Sequence, residues 1–341
     1  MLPAIFGLEG LYLSDRERAF FRAAQPVGFI LFGRNIASRQ QVRALTAALR
    51  DALGRDSVPI LIDQEGGRVA RLQPPEWQTF PPAACFAELW EHDPNGAISA
   101  TELNYEALGL DLAEIGITVD CAPVLDVPQL DAHDVIGDRA FGADPNVVAQ
   151  LGRAALVGLA RAGVVGVVKH TPGHGRSLAD SHHHLPVVRS SAADLEVDLA
   201  PFKALADAPM AMTAHIVYEA WDAHHCATLS RKVIEDIIRN RIGFHGLLMS
   251  DDLDMKALSG NVPHLACAAI DAGCDVVLNC WGKMTDMEGM AECLPEATDE
   301  CRQRLSDAMM AGQAVGEQNH VQERQEHLVA QRDALLGRAK V

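Results

Sequence analysis

The 341-residue sequence predicts an α/β fold, a single-domain (β/α)8 TIM barrel with a C-terminal helical extension. Three observations lead there. Short runs rich in Val, Ile and Leu recur eight times along the chain. Helix-period segments separate them. No G-x-G-x-x-G follows any run, so the rival doubly wound sheet lacks the usual sign of dinucleotide binding. The runs are nearly continuous in apolar residues rather than alternating, as expected for parallel strands covered on both faces.

In chain order the expected strands are Ala4–Leu8, Gly28–Gly33, Pro59–Asp63, Ile117–Pro123, Val164–His170, Met210–His215, Leu247–Asp251 and Asp275–Asn279. Helix starts lie between them. Ser14-x-x-Glu17 and Ser38-x-x-Gln41 both have the form of a capping box, in which side chains satisfy the first turn's free backbone donors. After Ser38, Val42, Leu45, Leu49 and Leu53 share one helical face. Ser230 is placed to cap a helix whose buried face holds Val233, Ile234 and Ile237. From about Pro295 the chain turns rich in Gln, Glu, Arg and Ala, which suits helices on the barrel's outside. The expected division is a catalytic barrel over 1–294 and packed helices over 295–341. Neither a P-loop, G-x-S-x-G, an internal repeat nor a low-complexity tract occurs.

Charge narrows the partners. Lys and Arg number 29 against 46 Asp and Glu, so the formal net charge is 29 − 46 = −17. That balance argues against nucleic acid and against an anionic membrane surface, since both are bound through clustered cations. The most apolar stretch, Ala154 to Val168, is interrupted by Arg161, and no run reaches the eighteen residues of a membrane span. The N-terminus has no basic segment and carries Glu9 within its apolar stretch, so no export signal is expected. The eight cysteines form no C-x-x-C pair and read as free thiols. A cytoplasmic protein is expected, with a monomer favoured.

Ionisable residues gather where the strands end. The third run ends at Asp63, the fifth at Lys169-His170, the sixth at His215 and the seventh at Asp251-Asp252. In a barrel that rim carries the chemistry, and mixed carboxylates and cations suit a ligand with many hydroxyls. The segment from Lys169 to Pro186 holds five histidines. His170 and His174 have the i, i+4 spacing of a zinc motif, but Pro172-Gly173 between them forbid the helix that motif needs. No metal and no cofactor is expected. Asp180-Ser-His182 offers a different use: a carboxylate two residues away can hold an imidazole by one ring N–H and leave the other nitrogen to move a proton.

Five motifs occur in order: Ile62-Asp-Gln-Glu-Gly-Gly-Arg-Val69, Ile136-Gly-Asp-Arg-Ala-Phe-Gly142, Lys169-His-x-Pro-Gly-His-Gly175, Asp180-Ser-His182 and Met249-Ser-Asp-Asp-Leu253. Together they resemble the bacterial β-N-acetylglucosaminidases of glycoside hydrolase family 3, over about residues 5 to 285. The resemblance implies removal of terminal GlcNAc from muropeptides during cell-wall recycling. It implies Asp251 as nucleophile, His182 as general acid/base oriented by Asp180, and Asp63, Arg71, Arg139, Lys169 and His170 as sugar-binding residues. Asp252 is then a structural neighbour. Thr171 stands where the family has Phe, Arg176 falls in the expected mobile loop with Gly173 and Gly175, and His183-His184 extend the dyad. A retaining glycosidase needs an attacking carboxylate and a proton donor on the leaving oxygen; a histidine near pKa 6.5 serves the second need with little tuning. A GlcNAc phosphorylase and a non-catalytic carbohydrate-binding barrel are the alternatives.

Overall fold

The computed structural model describes residues 1–129, 134–177, 185–312 and 321–338. Eight parallel strands close into a barrel in simple chain order: Leu2–Phe6, Pro26–Leu31, Ile60–Ile62, Val119–Asp120, Val165–Thr171, Met210–Thr213, Leu247–Asp252 and Val276–Asn279. The last pairs with the first through Ala4 and Val277. All eight expected strands are present, the fourth reduced to two residues. A separate ladder of Val187–Val188 with Val217–Tyr218 lies beside the barrel and carries no sequence signal of its own.

Both faces of the strands are apolar, which explains the unbroken runs. Ile5, Ile30, Leu61, Val119, Val167, Met212, Met249 and Leu278 belong to an inner cluster that fills the barrel. Their strand neighbours Phe6, Phe29, Ile60, Val168, Leu248 and Val277 pack outward against the helices. Phe21 of helix Asp15–Ala24 meets Phe29 edge-on, with ring centroids 4.8 Å apart. Helix Arg39–Leu53 buries Val42, Leu45, Leu49 and Leu53 as its spacing requires.

The capping residues divide. Ser14 and Glu17 form the full reciprocal box. Ser38 accepts from the Gln41 N–H, but the Gln41 side chain accepts from Ala37 instead of Ser38 and donates to the carbonyls of Leu11 and Asn35. Gln41 thus serves the preceding loop. Ser230 accepts from the Val233 N–H, and the following helix Val233–Ile242 has the wider π winding, with Val233, Ile234 and Ile237 buried.

The C-terminal helices take two different places. Val321–Arg338 lies outside, against Pro94–Glu114, where Gln325 donates to the Ala107 carbonyl and Arg332 to Asn104. Asp299–Ala311 instead closes the bottom of the barrel. Its Cys301, Leu305 and Ala308 join the inner cluster, and Arg304 bonds Asp275 at the foot of the eighth strand at 2.7 Å. A strand barrel open below would leave that cluster wet, so this helix acts as its floor.

Replacing Leu305, 7% exposed, by Ala is expected to lower the free energy of unfolding by about 2–4 kcal/mol. Gln303→Ala on the helix's outer face should cost no more than about 0.5 kcal/mol. Urea titration of the two variants checks the floor role; equal, small effects would contradict it.

Candidate active site

The upper mouth of the barrel opens into a pocket of about 230 Å³. Asp63, Arg71, Arg139, Lys169, His170 and Asp251 all line it, so six of the residues expected at the site come together. Asp180 and His182 lie outside the described residues.

The floor is a buried charge cluster. Lys169, with its side chain 3% exposed, sits between Asp63 at 2.9 Å and Glu65 at 2.7 Å. Arg139 grips Glu65 with two bonds of 2.7 and 2.8 Å, the bidentate fork that arginine geometry favours. Arg71 reaches Asp63 at 3.2 Å. Burial by itself would raise both carboxyls. The ammonium and guanidinium charges outweigh it, holding Asp63 far below the usual range and Glu65 down to about 2. Lys169 is correspondingly raised, its two carboxylates outweighing the desolvation that would lower it. Three cations face two carboxylates here. The Nε of Arg71 is buried without a partner among the described residues, a donor that a ligand oxygen could use.

His170 is held from behind. Its Nδ1 lies 2.7 Å from Asp126 Oδ2, while Asp126 Oδ1 accepts the backbone N–H groups of His170 and His174 at 3.2 and 2.6 Å. With one ring nitrogen committed to Asp126, the ring orientation is set and Nε2 is left as the other donor or acceptor. Burial lowers His174 to about 4, so its ring is neutral at ordinary pH.

The two adjacent aspartates differ. Asp252 accepts from the backbone of Cys280 at 3.0 Å and of Asp254 at 3.3 Å, and burial pushes it up to about 6. Asp251 is the more exposed of the pair and accepts the Asp252 N–H at 2.8 Å. His215 does not reach the pocket as its place at a strand end suggested. It is buried, and its Nε2 donates to the Asp252 carbonyl at 2.9 Å, bracing the turn that carries both carboxylates. Burial raises the thiols of Cys121 and Cys280, which keeps them un-ionised and unsuited to nucleophilic attack.

Gly173, Gly175 and Arg176 belong to the loop expected to be mobile, and the structure shows how its described part is packed: a Cβ on Gly175 would come within 2.0 Å of the Val127 carbonyl oxygen, and one on Gly173 within 3.0 Å of Asp198. These glycines permit close backbone approach. Arg176 bonds Asp198 at 2.6 Å and the Asp194 carbonyl at 2.8 Å, so it is anchored.

Sequence reasoning missed Glu65 and Asp126 as site residues. Glu65 was in plain view inside the Asp63–Arg68 motif, two residues from Asp63. Asp126 lies beyond the expected end of the fourth strand at Pro123, and only extending the rim search past that proline finds it.

The Glycosyl hydrolase family 3 N terminal domain model matches residues 11–315. A beta-hexosaminidase of Bordetella avium is 39% identical over 284 residues, covering 82% of this chain and 80% of its own. The native NagZ of Neisseria gonorrhoeae superposes with a TM-score of 0.87 at 30% identity, over 99% of this chain and 97% of that one. NagZ in complex with N-trifluoroacetyl-D-glucosamine superposes equally well, with a TM-score of 0.87.

Lys169→Met leaves two carboxyls buried without their shared cation, and should cost about 3–5 kcal/mol at pH 7. In the native chain Asp63 and Glu65 titrate below their unfolded values near pH 4. Their stabilisation is therefore full above that pH and fades as pH falls through the folded values. In the variant both folded values rise relative to the native chain's, since one of the two cations holding each is gone, so its deficit should narrow on acidification. Urea unfolding at several pH values from 7 to 3 checks this; a deficit that stays constant would contradict the cluster's role.

Proposed function

The chain belongs to glycoside hydrolase family 3, and from that premise we propose that it is an exo-acting, retaining β-N-acetylglucosaminidase. It removes terminal β-linked GlcNAc from muropeptides in peptidoglycan recycling. The observation that carries this reading is the convergence of Asp251 with the Asp63–Lys169–Glu65 cluster in one small pocket. A cavity of about 230 Å³, below the roughly 300–1,000 Å³ of drug-sized sites, suits one sugar ring entering end-on.

The sugar's hydroxyls bond Asp63, Lys169, His170 and Arg71, and the N-acetyl group lies toward Arg139. Asp251 attacks the anomeric carbon while a proton passes to the departing oxygen, giving a covalent glycosyl-aspartate. His182, oriented by Asp180, donates that proton and then takes one from the attacking water. This assignment rests on the Asp180-Ser-His182 motif; on either side of it Gly175 accepts from the Gln129 N–H at 3.0 Å, and Pro186 accepts from the Val217 N–H at 3.0 Å. Asp252, consumed by two backbone donors, keeps the turn in shape. We place the reaction in the cytoplasm and in a monomer, and divide the chain into a catalytic barrel over 1–294 and a C-terminal extension over 295–341. Among the described residues no helix is long and apolar enough to cross a membrane.

Asp251→Asn should reduce kcat on an aryl β-GlcNAc glycoside by about 10³-fold or more, with unfolding unchanged within about 0.5 kcal/mol. The native enzyme in phosphate buffer should yield free GlcNAc. Retained activity in the variant would remove Asp251 from the nucleophile role, and GlcNAc 1-phosphate as product would reassign the acceptor from water to phosphate.

A further inference from the structure

Trp281 stands out once the pocket is described. The residue is 55% exposed, and it is the exposed member of the pocket's described lining, where the rest are buried or half-buried. An indole combines a large flat apolar face with a polar N–H edge, which suits it to an interface that is partly apolar and partly wet. The charged floor lies deep in the barrel mouth; Trp281, following the eighth strand, stands at the entrance.

The backbone next to it is closely packed. Gly282 has φ +67°, and a Cβ there would meet the backbone of Leu8 and Glu9 at 2.6 and 2.8 Å. The turn after the eighth strand is thereby pressed against the loop after the first. Arg34, which also lines the pocket, lies over one face of the indole, its guanidinium 5.8 Å from the Trp281 ring centroid and 5.0 Å from that of Phe32. Arg34 is itself held by the carbonyls of Leu8 and Cys280. Cys280, the residue before Trp281, donates to Asp252 at 3.0 Å. The indole is thus tied through one residue to the turn that carries Asp251.

From this geometry we infer that Trp281 is a specificity-determining residue, a stacking platform for the sugar ring on the leaving-group side of the cleaved bond. The inference rests on the proposed placing of the terminal GlcNAc on the charged floor. With that ring in the depth of the pocket, the next ring must lie at the mouth. A pyranose presents axial C–H bonds on one face, and an exposed indole on the pocket lining offers a flat apolar surface to receive them. Trp281 makes no bond to the reacting atoms; it selects substrates whose leaving group is a ring.

The test compares two alkoxide-leaving substrates, methyl β-GlcNAc and the disaccharide GlcNAc-β-1,4-GlcNAc, with the native enzyme and with Trp281→Ala, Trp281→Phe and Tyr12→Ala. Tyr12 is 70% exposed and absent from the pocket lining, so it controls for loss of any exposed aromatic. Trp281→Ala should lower kcat/KM on the disaccharide about five- to tenfold and leave the methyl glycoside within about twofold. Trp281→Phe should recover most of the loss, and Tyr12→Ala should change neither substrate. Titrating Asp251→Asn with the disaccharide should also blue-shift tryptophan emission, a response absent with GlcNAc alone and absent when Trp281→Phe is added. Equal losses on both substrates, or no loss on the disaccharide, would overturn the platform. Failure of the native enzyme to cleave either substrate would instead overturn the proposed function.

Discussion

Lys169 sits between Asp63 and Glu65 at the ends of the fifth and third strands, and the rest of the site is arranged around it. Taking three charges out of water costs several kcal/mol for each ion, a cost that their mutual attraction offsets only when the geometry is good. Here it is: each carboxylate has a second cation, Arg71 on Asp63 and Arg139 on Glu65. Apolar side chains of similar volume would fill the same space with less desolvation, so stability alone does not account for the cluster. What the cluster does provide is a set of oriented donors and acceptors at the pocket floor, an arrangement that under the proposed function costs no reorganisation during reaction.

Two neighbouring carboxylates are given different work by their surroundings. Asp252 is buried, bonded by the Cys280 and Asp254 N–H groups, and pushed up to about 6. Asp251 keeps more exposure and faces the same pocket as the cluster. His215 braces the Asp252 carbonyl, so the sixth strand fixes the end of the seventh. The turn after the eighth strand is joined to the same point through Cys280. Adjacent strand ends thus position one another, as barrel closure requires, and the positions of Asp251 and Trp281 are set by a shared set of backbone bonds.

What the sequence made legible followed from side-chain chemistry repeated in register. Unbroken apolar runs announced strands buried on both faces, and the inner and outer clusters account for every one of them. The rim residues Asp63, Lys169, His170 and Asp251 were visible because each follows such a run. His215 followed one too and yet faces away from the pocket: a strand end fixes where a side chain starts, not which neighbour it meets. The Gln41 side chain, the floor helix Asp299–Ala311 and the close approach at Gly175 depend on contacts far apart in sequence. Such contacts leave no local pattern. Composition alone could not have separated a helix under the barrel from one beside it.

Catalysis by the proposed route requires that Asp251 form a covalent bond to the anomeric carbon. The most direct measurement is mass spectrometry of peptides after brief exposure to a fluorinated GlcNAc donor that slows release of the intermediate. The account predicts one added sugar, on Asp251, with the β anomer as first product of the unmodified substrate. A label on Asp252, or no label together with an inverted product, would contradict it.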